Sequence, residues 1–213
     1  MNSKFRDMKS RRKELMAQME ANSIALLASA PRRVRNNDAE YRYRPSSDFY
    51  YLTGFTESDA LLALIPGRKQ GEVVLFCQDR NPEKELWEGA LLGPEAAIKE
   101  LGIDDAFPIG DVDEILPGLI EGRDRVYYAM GSDLNFDEKV MGWVKTIKQK
   151  NKLGGHPPGE FLMLNPLLHE LRLIKSANEI KLMETAAGIS AEGHRRAMSS
   201  CKPGVFEYEL EAE

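Results

Sequence analysis

Two short apolar runs set the frame for this chain. Residues 59–65 (DALLALI) and 73–77 (VVLFC) flank the turn signal Pro66-Gly67. Runs of this length, bounded by a Pro-Gly pair, read as buried strands. With a tight turn between them the two strands pair antiparallel, so any sheet that contains them is at least partly antiparallel.

Around this hairpin the pattern alternates between strands and helices. Residues 23–29 (SIALLAS) form another short apolar run and read as a buried strand. Residues 49–52 read as a strand that Gly54 breaks. Residues 125–130 (RVYYAM) read as a strand rich in Val and aromatics. The first twenty residues carry Phe5, Met8, Arg12, Leu15, Met16 and Met19 at helical spacing, which predicts one amphipathic surface helix. On that stripe Arg12 is expected to bury its stem and keep its head in water. Residues 83–87 and 94–101 read as short helices, with Pro94 suited to a first turn. Residues 111–120 read as helical despite Pro117. Residues 135–150 read as a helix with Phe136, Val140, Trp143, Val144 and Ile147 on its apolar side. Residues 152–160 hold the cluster GGHPPG, which continues neither a helix nor a central strand, so they read as a loop. Strands mixed with helices, one pair of them a hairpin, give an α/β class.

From Ser176 the pattern changes. Ser176-Ala177-Asn178-Glu179 fits a capping box, and Ile180, Met183, Ala187, Ala191, His194 and Met198 follow at helical spacing. Pro203-Gly204 stops that helix. Phe206, Tyr208, Glu209 and Leu210 begin another, inside which the sequence ends at Glu213. The chain is therefore read as one α/β domain plus the opening of a second.

Charge and composition exclude several classes. Lys and Arg total 29 against 34 Asp and Glu, a net charge of -5, which does not favour an electrostatic nucleic-acid binder. No apolar stretch approaches the roughly 18 residues of a membrane span. Lys4, Arg6, Lys9, Arg11, Arg12 and Lys13 crowd the start, but no apolar run follows, so this is not a secretory signal. Asp7, Glu14 and Glu20 interrupt a transit-peptide pattern. Cys77 and Cys201 lie in no CxxC and read as reduced core thiols, which points to a cytoplasmic protein.

Catalytic signatures are sparse. The sequence has no P-loop, no G-x-G-x-x-G and no G-x-S-x-G elbow. His169-Glu170 begins like HExxH, but Leu173 stands where the second histidine belongs. His156 lies in the Gly/Pro loop and His194 on the apolar face of a helix. Three scattered histidines make a poor metal set, because a site needs convergent ligands. Two aromatic features remain. Trp87, in Glu85-Leu86-Trp87-Glu88-Gly89, either half-covers the edge of its own sheet or packs on a ligand or partner subunit. Residues 41–55 interleave aromatics with Arg, as nucleic-acid binders do, but the acidic balance and strand-like alternation favour a structural sheet segment with Arg44 and Asp48 hydrogen-bonded near its start.

Three segments together resemble one family. Residues 41–55, YRYRPSSDFYYLTGF, resemble the YxYRxxSDFxYLTGF stretch of bacterial aminopeptidase P, the Xaa-Pro aminopeptidases. Residues 169–176, HELRLIKS, with Glu179-Ile180, resemble the segment that joins the two domains in that family. Residues 202–213, KPGVFEYELEAE, resemble the opening of its catalytic domain. The likeness runs over nearly the whole chain; the last two segments recur more loosely in prolidases.

The resemblance implies a creatinase-like amino-terminal α/β domain over 1–174, with a mixed β-sheet flanked by helices. Residues 175–213 would then be the first helices of an incomplete pita-bread catalytic domain. It implies a metalloaminopeptidase that releases the first residue of peptides with proline second, acting as a homo-oligomer with no nucleic-acid or membrane partner. Two manganese ions, held by two Asp, one His and two Glu, are implied beyond Glu213; no catalytic residue or metal ligand falls on this chain, which is expected to be inactive alone. His194 would lie on a scaffolding helix. Trp87 matches an entrance-loop Trp that reaches from one subunit into the active-site mouth of another, which implies a substrate-binding role in trans, although Glu88 replaces the usual aromatic after it. The rival readings are a prolidase-type dipeptidase and a non-catalytic pita-bread relative that binds peptides or histones.

Overall fold

The computed structural model describes residues 3–150 and 154–213. Met1 and Asn2 of the expected first helix, and residues 152 and 153 of the expected loop, lie outside the described residues. The chain divides into two compact units, Met1–Leu171 and Arg172–Glu213.

In chain order the first unit runs α1 (Ser3–Gln18), β1 (Ser23–Ala28), β2 (Val34–Asn36), β3 (Ala39–Glu40), α2 (Ser47–Thr53), β4 (Leu61–Leu64), β5 (Val73–Cys77), α3 (Pro82–Glu88), α4 (Gly93–Leu101) and β6 (Asp105–Pro108). A 3-10 turn (Ile109–Asp111) then leads into α5 (Val112–Ile120), β7 (Arg125–Tyr128), α6 (Leu134–Gln149), β8 (Glu160–Met163) and α7 (Asn165–Leu173). Six strands form one sheet in the order β6-β5-β4-β1-β7-β8. β4 pairs antiparallel with both β1 and β5, while β1–β7, β7–β8 and β5–β6 are parallel. The expected hairpin is present, with Leu61 opposite Phe76 and Leu64 opposite Val73.

Alternation along the strands divides the core into two layers. Ala25, Leu27, Leu62, Leu64, Leu75 and Tyr127 face one side, where Leu15 and Met16 of α1, Phe49 and Leu52 of α2, Ala97 and Leu101 of α4 and Leu168 of α7 cover them. Ile24, Leu26, Leu61, Ala63, Phe76 and Tyr128 face the other side, under Leu116 and Ile120 of α5 and Val140, Trp143 and Ile147 of α6. Both faces are covered, so β1, β4 and β5 are apolar at nearly every position rather than alternating apolar and polar. The fold class is the expected one: a mixed α/β sheet flanked by helices.

Two expectations fail within this sheet and its helices. Residues 49–52 are not a strand but part of α2. Gly54, at φ 68, takes the left-handed position after the last turn, and its N–H donates to the Tyr50 carbonyl. Phe49 and Leu52, three apart, then share the buried face. Arg12 does not send its head to water: it is 1% exposed, and its guanidinium donates to the carbonyls of Leu52 (2.8 Å), Leu101 (3.2 Å) and Gly102 (2.8 Å). Those carbonyls lie at the C-terminal ends of α2 and α4, where unpaired acceptors and the helix dipole favour a cation.

The second unit holds α8 (Ala177–Ser200) and α9 (Glu207–Ala212). The capping box forms as read: Ser176 Oγ accepts the Glu179 N–H at 3.3 Å, and the Glu179 carboxylate accepts the Ser176 N–H at 2.9 Å. No residue of α8 is buried, and Ile180, Met183, Ile189 and Met198 are exposed. Cys201 is exposed as well, so only Cys77 of the two thiols is a core residue. Among the described residues no helix is long and apolar enough to cross a membrane.

Candidate functional site

Because β4 alone runs against the others, the carboxyl ends of β1, β5, β6, β7 and β8 share one edge of the sheet. In open α/β sheets, ligand-binding loops collect at that edge. Here it carries the connection from β1 to β4, the connection from β5 that contains α3, and the turn before α6.

Trp87 sits on α3, in the connection that follows β5. Trp87 is 89% exposed and its neighbour Leu86 is 84% exposed. The ring does not cover the edge of its own sheet. The side chain of Glu88 lies outside the described side chains. A seven-residue helix has little stability of its own, and the loop is held at its base. Arg80 Nε and Nη2 each donate to Glu85 at 3.0 Å, a planar two-point contact. Asn81 Oδ1 accepts the Glu83 N–H at 3.0 Å and starts the helix. Gly93, at φ +73, lies so close to Arg80 that a Cβ there would stand 2.8 Å from Arg80 Cγ. Glu85, hydrogen-bonded to Arg80, titrates below the usual carboxylate range.

Glu57 holds the other side of this loop. Its Oε1 accepts the Leu92 N–H at 2.8 Å, while its Oε2 is buried with no hydrogen-bond partner among the described residues. Burial pushes the Glu57 carboxyl up and nearby Glu85 adds to this, against the Leu92 N–H. The folded state therefore holds this proton more tightly than the unfolded chain. The stabilisation is fully present below the ordinary glutamate pKa and is lost as pH rises through the raised value. Glu57→Gln lacks that loss: the melting temperature of the wild type minus that of the variant should fall as pH rises above the ordinary glutamate pKa and level off once Glu57 is ionised in the folded state. A flat difference would refute the assignment. Next to Glu57, burial pushes the Cys77 thiol up to about 12, so it stays protonated at neutral pH and is no nucleophile.

Residues 41–55, read as a sheet segment, instead pin this edge. The Tyr43 hydroxyl lies 3.1 Å from the Ala30 carbonyl and 3.2 Å from that of Glu57. Thr53 Oγ1 donates to the Phe49 carbonyl at 2.7 Å and accepts the Phe55 N–H at 3.0 Å. A cleft of about 190 Å³ opens at the same edge, with Leu61, Val112 and Trp143 among its apolar lining and Asp59, Asp133 and Lys139 among its polar lining. Its acids are engaged: Asp133 caps α6 through the Asn135 N–H at 3.0 Å, and Asp59 accepts the Ser58 hydroxyl at 2.9 Å.

His156, His169 and His194 are each exposed and lie on separate elements. Among the described residues no three His, Cys, Asp or Glu side chains lie together in a way that could hold a metal ion. The sequence picked out Trp87 but not Glu57 or Arg80. The Arg80–Glu85 pair carried a signal, opposite charges bracketing the Asn81-Pro82 helix start. Glu57 carried none.

Residues 8–127 match the family model described as Aminopeptidase P, N-terminal domain. The chain is 39% identical over 204 residues to the Xaa-Pro aminopeptidase of Escherichia coli K12, covering 95% of this chain and 46% of that protein. It is 30% identical over 215 residues to the mitochondrial intermediate cleaving peptidase 55 of Arabidopsis thaliana, covering 95% of this chain and 40% of that protein. Among solved structures, the Pseudomonas aeruginosa aminopeptidase PepP superposes with a TM-score of 0.96 at 58% identity, over 98% of this chain and 47% of that one. The chain thus spans just under half the length of these relatives.

Proposed function

The chain belongs to the aminopeptidase P N-terminal domain family, and from that premise we propose that it forms the first part of an Xaa-Pro aminopeptidase. The whole protein would be a metallopeptidase that releases the first residue from peptides with proline second. The observation that carries this reading is the 58% identity and TM-score of 0.96 to the Pseudomonas aeruginosa aminopeptidase over 98% of the chain.

Within that enzyme, residues 1–174 would be the creatinase-like domain and residues 175–213 the opening of the catalytic domain. The split into compact units at Leu171 and Arg172 supports this division, as does the apolar stripe of α8, none of whose residues is buried. The two manganese ions that the resemblance implies find no donor set among the described residues. The resemblance puts the ligands of those ions beyond Glu213 and leaves this part of the protein to shape the entrance and the oligomer. Trp87 offers a rigid aromatic face on a loop pinned at its base. Such a ring can pack on a bound peptide and keep water from it, while Leu86 beside it adds apolar surface. A homo-oligomer in the cytoplasm, with Trp87 serving a neighbouring subunit, completes the reading.

The test is an assay of the full-length protein with manganese on two substrates, a tripeptide with proline second and an Xaa-Pro dipeptide. Release of the first residue from the tripeptide is expected, with nothing released by the 213-residue chain alone. Cleavage confined to the dipeptide would make the protein a prolidase, and cleavage of neither would make it a binding module.

A further inference from the structure

The loop that carries Leu86 and Trp87 must hold two large apolar side chains in water, with no packing of their own to fix them. Its order has to come from the base. The outgoing side is fixed by the Arg80–Glu85 contact and the Asn81 cap. The returning side, from Gly89 to Leu92, belongs to no helix or strand, and its backbone N–H groups need partners elsewhere. On the outgoing side the carboxylate at work is Glu85; on the returning side it is Glu57, which takes the Leu92 N–H at 2.8 Å.

Glu85 belongs to the loop itself. Glu57 does not. It follows the buried Phe55 and precedes the buried Ser58, and its own carbonyl lies 3.2 Å from the Tyr43 hydroxyl. Glu57 thus ties the returning segment to a rigid part of the sheet edge. The arrangement is costly to the fold: one carboxylate oxygen is buried without a partner among the described residues, and an apolar residue of the same size would avoid that penalty. A half-buried carboxylate kept at such a cost points to a role other than stability.

We infer that Glu57 is a positioning residue, which sets where the Leu86–Trp87 tip stands by holding the Leu92 N–H. The consequence for catalysis rests on the reading of Trp87 as an entrance residue.

The experiment uses the full-length enzyme and three variants: Glu57→Leu, Glu57→Gln and Trp87→Ala. Glu57→Leu removes the acceptor; Glu57→Gln keeps a carbonyl for the Leu92 N–H. With Glu57→Leu, hydrogen exchange at the Leu92 amide and through residues 86–91 should quicken by about 10-fold or more, with protection of β4 and β5 unchanged. In the same variant kcat/KM should fall by about 3- to 10-fold, while the melting temperature holds or rises. Glu57→Gln should restore both exchange and activity to near the wild-type values. In a Trp87→Ala background, Glu57→Leu should change kcat/KM by less than about 2-fold, since the residue it acts through is gone. Unchanged exchange at Leu92 in Glu57→Leu would overturn the inference, as would an activity loss that persists undiminished without Trp87. If Trp87→Ala alone leaves kcat/KM intact, the entrance reading fails, and the exchange rates still decide whether Glu57 holds the tip. Should Glu57→Leu fold poorly, Glu57→Met removes the same acceptor with an unbranched stem.

Discussion

Arg12→Met is expected to destabilise the first unit by about 3–5 kcal/mol, because three backbone carbonyls lose their donor at about 1–3 kcal/mol each and relaxation recovers part of that. The side chain is 1% exposed and bridges three elements, from α1 to the C-terminal ends of α2 and α4. Burial draws its pKa down to about 10, with Asp104 working against this, so the group is charged at neutral pH. Buried ion pairs are often replaced by apolar residues without loss, because both partners leave together. That escape is closed here. The acceptors are the backbone carbonyls of Leu52, Leu101 and Gly102, which no substitution removes, and Arg12→Met leaves them without the donor. At roughly 2–4 °C per kcal/mol for a chain of this size, the melting temperature should fall by about 6–20 °C. Arg12→Lys should fall between: it keeps the charge but loses the planar fork that spans two helix ends. Thermal melts followed by circular dichroism decide the matter, and an Arg12→Met variant as stable as the wild type would refute the account.

Trp87→Ala is expected to leave the melting temperature unchanged and to lower kcat/KM of the full-length enzyme by about 1–3 kcal/mol, or roughly 5- to 150-fold. The first half follows from the structure: a residue 89% exposed contributes little packing to its own domain. The second half follows from the proposed role at a neighbour's entrance, and it is separable from a role in cis. Trp87→Ala subunits mixed with subunits that lack a metal ligand should regain part of the activity, because some sites then combine an intact metal centre with an intact Trp from the neighbour. Mixed oligomers that exchange subunits yet recover nothing would place Trp87 outside the entrance of any other subunit.

The strands at the centre of the sheet were legible because both of their faces are buried. In β1, β4 and β5 that leaves short, nearly unbroken apolar runs ended by turn residues. The strands added at the two edges were not. β6 (Asp105–Pro108) is only half-buried throughout and ends in proline, and β8 (Glu160–Met163) is exposed at both ends. Neither carries a run or an alternation to read. α2 was mistaken for a strand because aromatic residues dominate it; Gly54, taken as a strand breaker, is instead the left-handed stop of a helix. Arg12 shows a different limit. Its place in the helical stripe was visible, but the carbonyls that accept its protons lie 40 and about 90 residues away. The site divides in the same way. Trp87 stands out as an apolar ring among charges, a local pattern. Glu57 is defined by a contact to an amide 35 residues later, and nothing near it in sequence announces that.

The place of β1 in the sheet also bears on how the chain is made. β1 pairs on one side with β4, some forty residues later, and on the other with β7, where Ser23 lies opposite Arg125. During synthesis at about 5–20 residues per second, the β1–β4–β5 meander can close while the second edge of β1 waits some 5–20 seconds for its neighbour to emerge from the ribosome. That waiting edge is SIALLA, apolar, uncharged and free of proline, the kind of strand that pairs readily with another copy of itself. The topology therefore makes the nascent chain's solubility depend on what shields β1 until residue 127 is out.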